Sequence, residues 1–318
     1  MGSLPAGRDD RGRAGDAAAE RGRLPAGPGV SRAAAGSSAG TGMGTGTGPI
    51  LGLDQVVLAV ADLAPAAAAY ATLFGRPCEG RGTAEGLDRA SFRLANTRLV
   101  LAAPQGIAAG EAAAFARHLA PPAPGQGAGP HGALGGLGFA VAETGAALRL
   151  LERRGLPAAG PARPWLGRPA VPLDPAAARG LHLLLTEPDP DPPAGPVRLD
   201  HLVIRSGDPE RTLALLAGRL GLELRLDRSN PAWGTRLLFF RCGDTVLEVS
   251  HALAEGVTAA PDTAWGLTWR VPEVAAEHAR LAAAGLAVSP LRPGRKPGTR
   301  IFTLREPALG VPTAVIGA

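Results

Sequence analysis

The run Leu53-Asp54-Gln55-Val56-Val57-Leu58-Ala59-Val60-Ala61-Asp62-Leu63 returns later as Leu199-Asp200-His201-Leu202-Val203-Ile204-Arg205-Ser206-Gly207-Asp208-Pro209. In both copies an apolar, strand-like run ends at an acidic residue and opens into an Ala/Leu-rich helix, with a glycine beyond it (Gly75, Gly221). A repeat of this kind constrains the fold more than any single motif, because one supersecondary unit must be built at least twice. The copies differ at one polar position, Gln55 against His201.

Extending the pattern gives four segments. The first predicts a strand at Leu53–Val60, a helix at Pro65–Phe74, and strands Arg89–Leu94 and Arg98–Ala102 around the Asn96-Thr97 turn. The second predicts a strand Leu137–Val141, a helix Thr144–Arg154 and extended pieces ending in Leu181–Leu185. The third predicts Leu199–Arg205, a helix Pro209–Leu220, and strands Leu222–Leu226, Arg236–Arg241 and Thr245–Val249. The fourth predicts Gly266–Val271, a helix Glu273–Ala284, a strand about Ala287–Ser289, and strands Thr299–Leu304 and Val311–Ile316. Glycines just past each helix (Gly75, Gly155, Gly221, Gly285) are C-cap signals. Runs rich in β-branched residues and Phe, bounded by turns, carry the strand assignments. Gly106–Gly136 joins the first two segments, with a short helix expected near Glu111–Leu119. Asp and Pro alternate through Thr186–Pro196, as in a stiff linker.

The expected division is therefore a low-complexity tail over residues 1–50, a domain over 51–187, a linker over 188–197 and a second domain over 198–318. The tail is rich in Gly, Ala, Pro and Ser and has too little apolar surface to offset the entropy of ordering. Met43 is a candidate start codon. The 318 residues allow two domains of ordinary size, each large enough for its own core.

Composition excludes several functions. The net charge is +5, but the arginines are scattered and aromatics are only 4% of the chain, which argues against a nucleic-acid surface built on stacking. Cys78 and Cys242 lie in no metal spacing and suggest neither a disulfide framework nor a thiolate site. No apolar run reaches the ~18 residues of a membrane span, and the first residues lack a signal-peptide core. A cytoplasmic protein, monomeric or homodimeric, is the expectation. No Ser or Cys sits in a nucleophile elbow, and no glycine loop matches a phosphate or dinucleotide fingerprint.

The Leu-Asp-Gln/His openings, Leu220-Gly221-Leu222-Glu223, and Gly243-Asp244-Thr245-Val246-Leu247-Glu248-Val249 together resemble the vicinal-oxygen-chelate superfamily. This superfamily includes glyoxalases, bleomycin-resistance proteins and extradiol dioxygenases. The ending Lys296-Pro297-Gly298-Thr299-Arg300-Ile301-Phe302-Thr303, with Gly310-Val311-Pro312-Thr313, is similar to the closing hairpin of uncharacterised glyoxalase-like proteins. The resemblance covers roughly Leu51 to Ala318. It implies an α+β fold of four βαβββ units, paired into two tandem domains with cup-shaped mixed sheets.

It also implies a site. Metal ligands in this superfamily sit on the first and last strands of a unit, and in the third segment those positions hold His201 and Glu248. An imidazole and a carboxylate suit Fe(II), Mn, Ni or Zn, and Glu248 doubles as the catalytic carboxylate. The other segments depart from the pattern, with Gly266 and Ala314 in the fourth, Gln55 and Val100 in the first, and Gly136 and Leu184 in the second. A metal-dependent lyase, isomerase or dioxygenase acting on a small organic molecule is the leading expectation. A metal-free protein that sequesters a hydrophobic or aromatic compound is the alternative.

Four further residues are candidates for substrate binding. Arg295 and Lys296 stand in a basic, glycine-flanked loop that could clamp an anion, or form a solvated hairpin tip. Trp269 and Phe240 are candidates to line an apolar pocket, or to pack in the core. His251 is expected at the surface on the strand face opposite Glu248, and His278 in solvent.

Overall fold

The computed structural model describes residues 48–84, 86–105, 133–165, 168–190 and 193–318. Most of the expected tail and the helix expected near Glu111–Leu119 lie outside them. Of these residues, Gly48 onward fall within one compact unit, Gly44–Ala318.

Each segment folds as strand–helix–strand–strand–strand. The first is β1 (Ile50–Ala59), α1 (Leu63–Phe74), β2 (Gly80–Ala84), β3 (Leu87–Arg93) and β4 (Arg98–Pro104). The second is β5 (Ala133–Val141), α2 (Thr144–Arg153), β6 (Arg163–Trp165), β7 (Arg168–Pro172) and β8 (Leu183–Thr186). The third is β9 (Arg198–Arg205), α3 (Pro209–Leu213), β10 (Glu223–Asn230), β11 (Thr235–Cys242) and β12 (Thr245–Ala252). The fourth is β13 (Thr263–Arg270), α4 (Val274–Ala283), β14 (Arg292–Pro293), β15 (Arg300–Leu304) and β16 (Thr313–Gly317).

The repeated acidic residues start the helices. The Asp62 carboxylate accepts from the Ala64 amide at 2.9 Å, and Asp208 accepts from the Arg211 amide at 3.2 Å, satisfying amides that have no partner inside the helix. The four glycines end them, all at positive φ between 65° and 85°. Three expectations needed adjustment. β2 was not anticipated, and Ala287–Ser289 contributes one isolated bridge, Val288 to Leu304, instead of a strand. The helix expected over Pro209–Leu220 passes into a π-helical turn at Ala214–Arg219. The Leu220 amide bonds to the Leu215 carbonyl five residues back, at 3.0 Å. The wider turn keeps Leu215, Leu216 and Leu220 on one buried side.

The strands form two eight-stranded mixed sheets of identical topology, β2-β3-β4-β1-β5-β8-β7-β6 and β10-β11-β12-β9-β13-β16-β15-β14. In each, two central first strands run antiparallel (β1 with β5, β9 with β13), and each is parallel to the last strand of its own unit. The architecture is α+β, with each half a curled, cup-like sheet.

One buried apolar cluster takes residues from both sheets and their helices, from Val56, Tyr70 and Phe92 to Phe240, Trp269 and Phe302. Phe74 of α1 meets Trp269 of β13 edge-on, with ring centroids 5.0 Å apart, and the Tyr70 hydroxyl donates to the Leu309 carbonyl at 3.0 Å. Arg280 of α4 donates to the Thr72 and Leu73 carbonyls at the end of α1, at 2.9 and 3.0 Å. One face of each sheet thus enters the shared core; on the other face of the first sheet Val57, Ala59, Val100, Ala102 and Leu184 form a second buried cluster, and on that of the second stand the half-buried His201 and Glu248.

Candidate functional site

On β9 the side chains of Leu199, Leu202 and Ile204 enter the core. The register with β13 pairs Leu199 with Trp269 and His201 with Thr268, leaving Asp200 as an extra residue. This β-bulge turns the local chain so that two successive polar residues are used together. The Asp200 carboxylate accepts from His201 Nδ1 at 2.9 Å and from Arg270 Nε at 2.5 Å. The first sheet repeats the device: Leu53 pairs with Phe139 and Gln55 with Gly138, leaving Asp54 between them. There the Asp54 carboxylate is ion-paired with Arg168 and accepts from the Thr186 hydroxyl at 3.1 Å.

Burial alone would raise the Asp200 carboxyl. The His201 hydrogen bond and the Arg270 guanidinium outweigh it and hold the group below the ordinary carboxylate value of 3.8. It is therefore an anion that fixes the imidazole ring and leaves Nε2 pointing away from it.

What Nε2 faces is Glu248. The carboxylate lies on β12, parallel to β9, and its Oε2 is 3.6 Å from His201 Nε2. That spacing exceeds a hydrogen bond. It is close to the ~3.4 Å that separates two donor atoms each about 2.1 Å from one ion at a tetrahedral angle. The pair, with a carboxylate on the far ring nitrogen, matches the outer-shell arrangement that orients a metal-binding histidine. The donor set is small, however. Thr268 is paired with His201 across the sheet, Ala314 with Thr268, and Gly266 with Val203. Among the described residues no group of three His, Cys, Asp or Glu is arranged to hold an ion. His201 Nε2 and Glu248 Oε2 could supply two donors to an ion.

The remaining candidates lie elsewhere. Phe240 pairs with Leu247, and both are fully buried in the core; Phe239, one residue earlier, pairs with Glu248 and takes the open face. Trp269 is also fully buried in the core, against Phe74. Neither Phe240 nor Trp269 lines a pocket with the His201–Glu248 pair. In a strand a one-residue displacement reverses the face, and the bulge changes the parity for Trp269. Arg295 stacks over the Trp233 ring at 4.4 Å, while Lys296 is exposed and accepts at its carbonyl from the Thr299 hydroxyl at 2.6 Å. Among the hydrogen bonds and ion pairs of the described residues, neither joins His201 or Glu248.

His251 lies on the face opposite Glu248 but is buried, not at the surface, with Nδ1 donating to the Ser206 carbonyl at 3.0 Å. His278 is half-buried, donates from Nε2 to the Ser289 carbonyl at 2.9 Å and packs edge-on to Phe302. Asp200 and Arg270 were missed. Strict alternation puts Asp200 on the face away from His201, and only its recurrence as Asp54 in the first copy could have signalled a role.

Residues 198–311 match the family model described as glyoxalase/bleomycin resistance protein/dioxygenase superfamily. No curated protein matches the chain. Among solved structures, a triple mutant of 4-hydroxymandelate synthase from Streptomyces coelicolor is similar over 85% of this chain and 93% of that one, with 13% identity and a TM-score of 0.62. The Mn(II)-bound glyoxalase from Novosphingobium aromaticivorans covers 85% and 83%, with 12% identity and a TM-score of 0.57. A 2,2',3-trihydroxybiphenyl 1,2-dioxygenase from Sphingomonas wittichii covers 85% and 91%, with 15% identity and a TM-score of 0.57. At these identities the likeness is one of fold.

Proposed function

We propose, from the match of residues 198–311 to the glyoxalase/bleomycin resistance protein/dioxygenase superfamily model, that this chain is an enzyme acting on a small oxygen-bearing organic molecule at the His201–Glu248 face of its second sheet. The observation that carries the reading is the 3.6 Å approach of His201 Nε2 and Glu248 Oε2, with Asp200 holding the opposite ring nitrogen. A divalent ion held there supplies Lewis acidity toward substrate oxygens.

The chain's own residues do the rest. Asp200 keeps the proton on His201 Nδ1, so that Nε2 presents its lone pair. Arg270 holds the Asp200 carboxylate in its charged form. Among the described residues Glu248 is the carboxylate facing Nε2, so it serves as a ligand or takes up a substrate proton at Oε2. Phe239, paired with Glu248, supplies an apolar wall beside the reacting group. Lyase, isomerase and dioxygenase chemistry all use such a site, and the fold does not choose among them.

The test is elemental analysis of the purified protein beside His201→Ala and Glu248→Ala variants. Loss of bound Fe, Mn, Ni or Zn in both variants supports the reading. Unchanged metal content in both would remove it. A second reading, a metal-free protein that sequesters an aromatic compound, is favoured by the small residues Gly266 and Ala314 and by the two-donor set. Saturable binding in chelator without turnover would select it.

A further inference from the structure

The duplication allows the two faces away from the shared core to be overlaid residue by residue. In the second sheet His201 of β9 pairs with Val246 of β12, and Glu248 lies two residues further along. In the first sheet Gln55 of β1 pairs with Arg98 of β4, and Val100 lies two residues further along. Gln55, Arg98 and Val100 thus occupy the places of His201, Val246 and Glu248. They line a cavity of about 230 Å³ together with Ser91, Arg81, Arg89 and Arg168. The position that could hold a cation in one half is, in the other, ringed by guanidinium groups.

We propose that this first-sheet cavity is a second ligand site, selective for a small molecule bearing a carboxylate or phosphate group. Among the described residues four arginines line it and no acidic residue does. Asp189 and Asp54 pair with Arg98 and Arg168, holding those two side chains in place. Every polar side chain of the wall, the Ser91 hydroxyl and the Gln55 amide included, can donate a hydrogen bond. Gln55 is only 1% exposed, and its Nε2 has no partner. Leaving a buried amide donor unpaired is costly unless something accepts from it. Its side chain is held over Gly138, where an added methyl would come within 2.6 Å of Gln55 Cγ. Beyond it Val57, Val100, Ala102 and Leu184 belong to a buried apolar cluster, which limits the ligand to a short body beside its anionic group. Planar guanidinium forks recognise carboxylate and phosphate oxygens through paired, charge-assisted bonds.

The site does not depend on the proposed metal chemistry, and the experiment separates the two. Calorimetric titration of the full chain at low ionic strength would use inorganic phosphate and succinate, with succinamide as the neutral analogue. One molecule per chain is expected for at least one anion, and the tighter of the two identifies the head group. Arg89→Gln should weaken binding by roughly ten-fold, the loss of one charge-assisted bond. Arg81→Glu, at an exposed position that leaves the core intact, should weaken it at least as much. His201→Ala should leave it unchanged. Failure of both anions to bind at millimolar concentration would overturn the proposal. So would equal binding of succinamide, indifference to Arg81→Glu in a folded protein, or loss of binding in His201→Ala.

Discussion

Substituting Asp200 tests whether the second site is organised from behind the histidine. The carboxylate makes two charge-assisted bonds, to His201 Nδ1 at 2.9 Å and to Arg270 Nε at 2.5 Å. Asp200→Asn keeps a neutral acceptor near Nδ1 but removes the charge that binds Arg270 and makes the imidazole a better donor. Asp200→Ala removes both bonds. Losing an outer-shell partner of this kind costs about 10–100-fold in metal affinity, or about 1.4–2.7 kcal/mol. Asn is expected near the lower bound and Ala near the upper. Titration of the metal-free protein with Mn(II) or Zn(II), with circular dichroism to verify folding, measures the change. Asp54→Asn, altering the equivalent carboxylate of the first sheet, should leave the affinity untouched. The reasoning fails if Asp200→Ala binds metal as tightly as the unaltered protein while His201→Ala abolishes binding, since Asp200 would then orient nothing.

Three other outcomes follow from the packing and charge. Gly138→Ala would drive a methyl to 2.6 Å from Gln55 Cγ, and an overpacking loss of about 1–3 kcal/mol should appear as a lower urea midpoint; an unchanged midpoint would mean that Gln55 moves freely. Trp269→Ala should destabilise by about 3–5 kcal/mol through a core cavity, whereas Phe239→Ala, on the open face, should alter ligand affinity with little change in unfolding; the reverse pattern would contradict the assigned faces. Asp262 is raised above 3.8 by burial, against the Thr212 and Ser206 hydroxyls and Arg179 that lower it. Its contribution to stability is complete below 3.8 and is lost as pH rises through its folded value, so Asp262→Asn should flatten that part of a stability-versus-pH profile. An identical slope in the variant would refute this.

Much of the fold was legible because its signals are local. The acidic N-caps Asp62 and Asp208, the C-terminal glycines and the alternating strands act within a few residues, and the duplicated opening shows that the local program runs again. His201 and Glu248 could be singled out because the family resemblance implies ligands on the first and last strands of a unit. The pocket aromatics were misjudged for the opposite reason. Whether Phe239 or Phe240 faces Glu248 depends on a register with β12, and the face of Trp269 on a bulge in a strand brought from another unit.

Local patterns along the chain set the four units, their order, and the asymmetry of Gln55 against His201. It took the folded chain to bring both sheets onto one core, to carry Asp200 around a bulge to its neighbour's ring, and to gather arginines scattered from Arg81 to Arg168 around Gln55. Helix caps and strand alternation are written in neighbouring residues. Bulges, sheet order and the charge of a cavity arise from strands far apart in the chain, whose pairing no local pattern encodes.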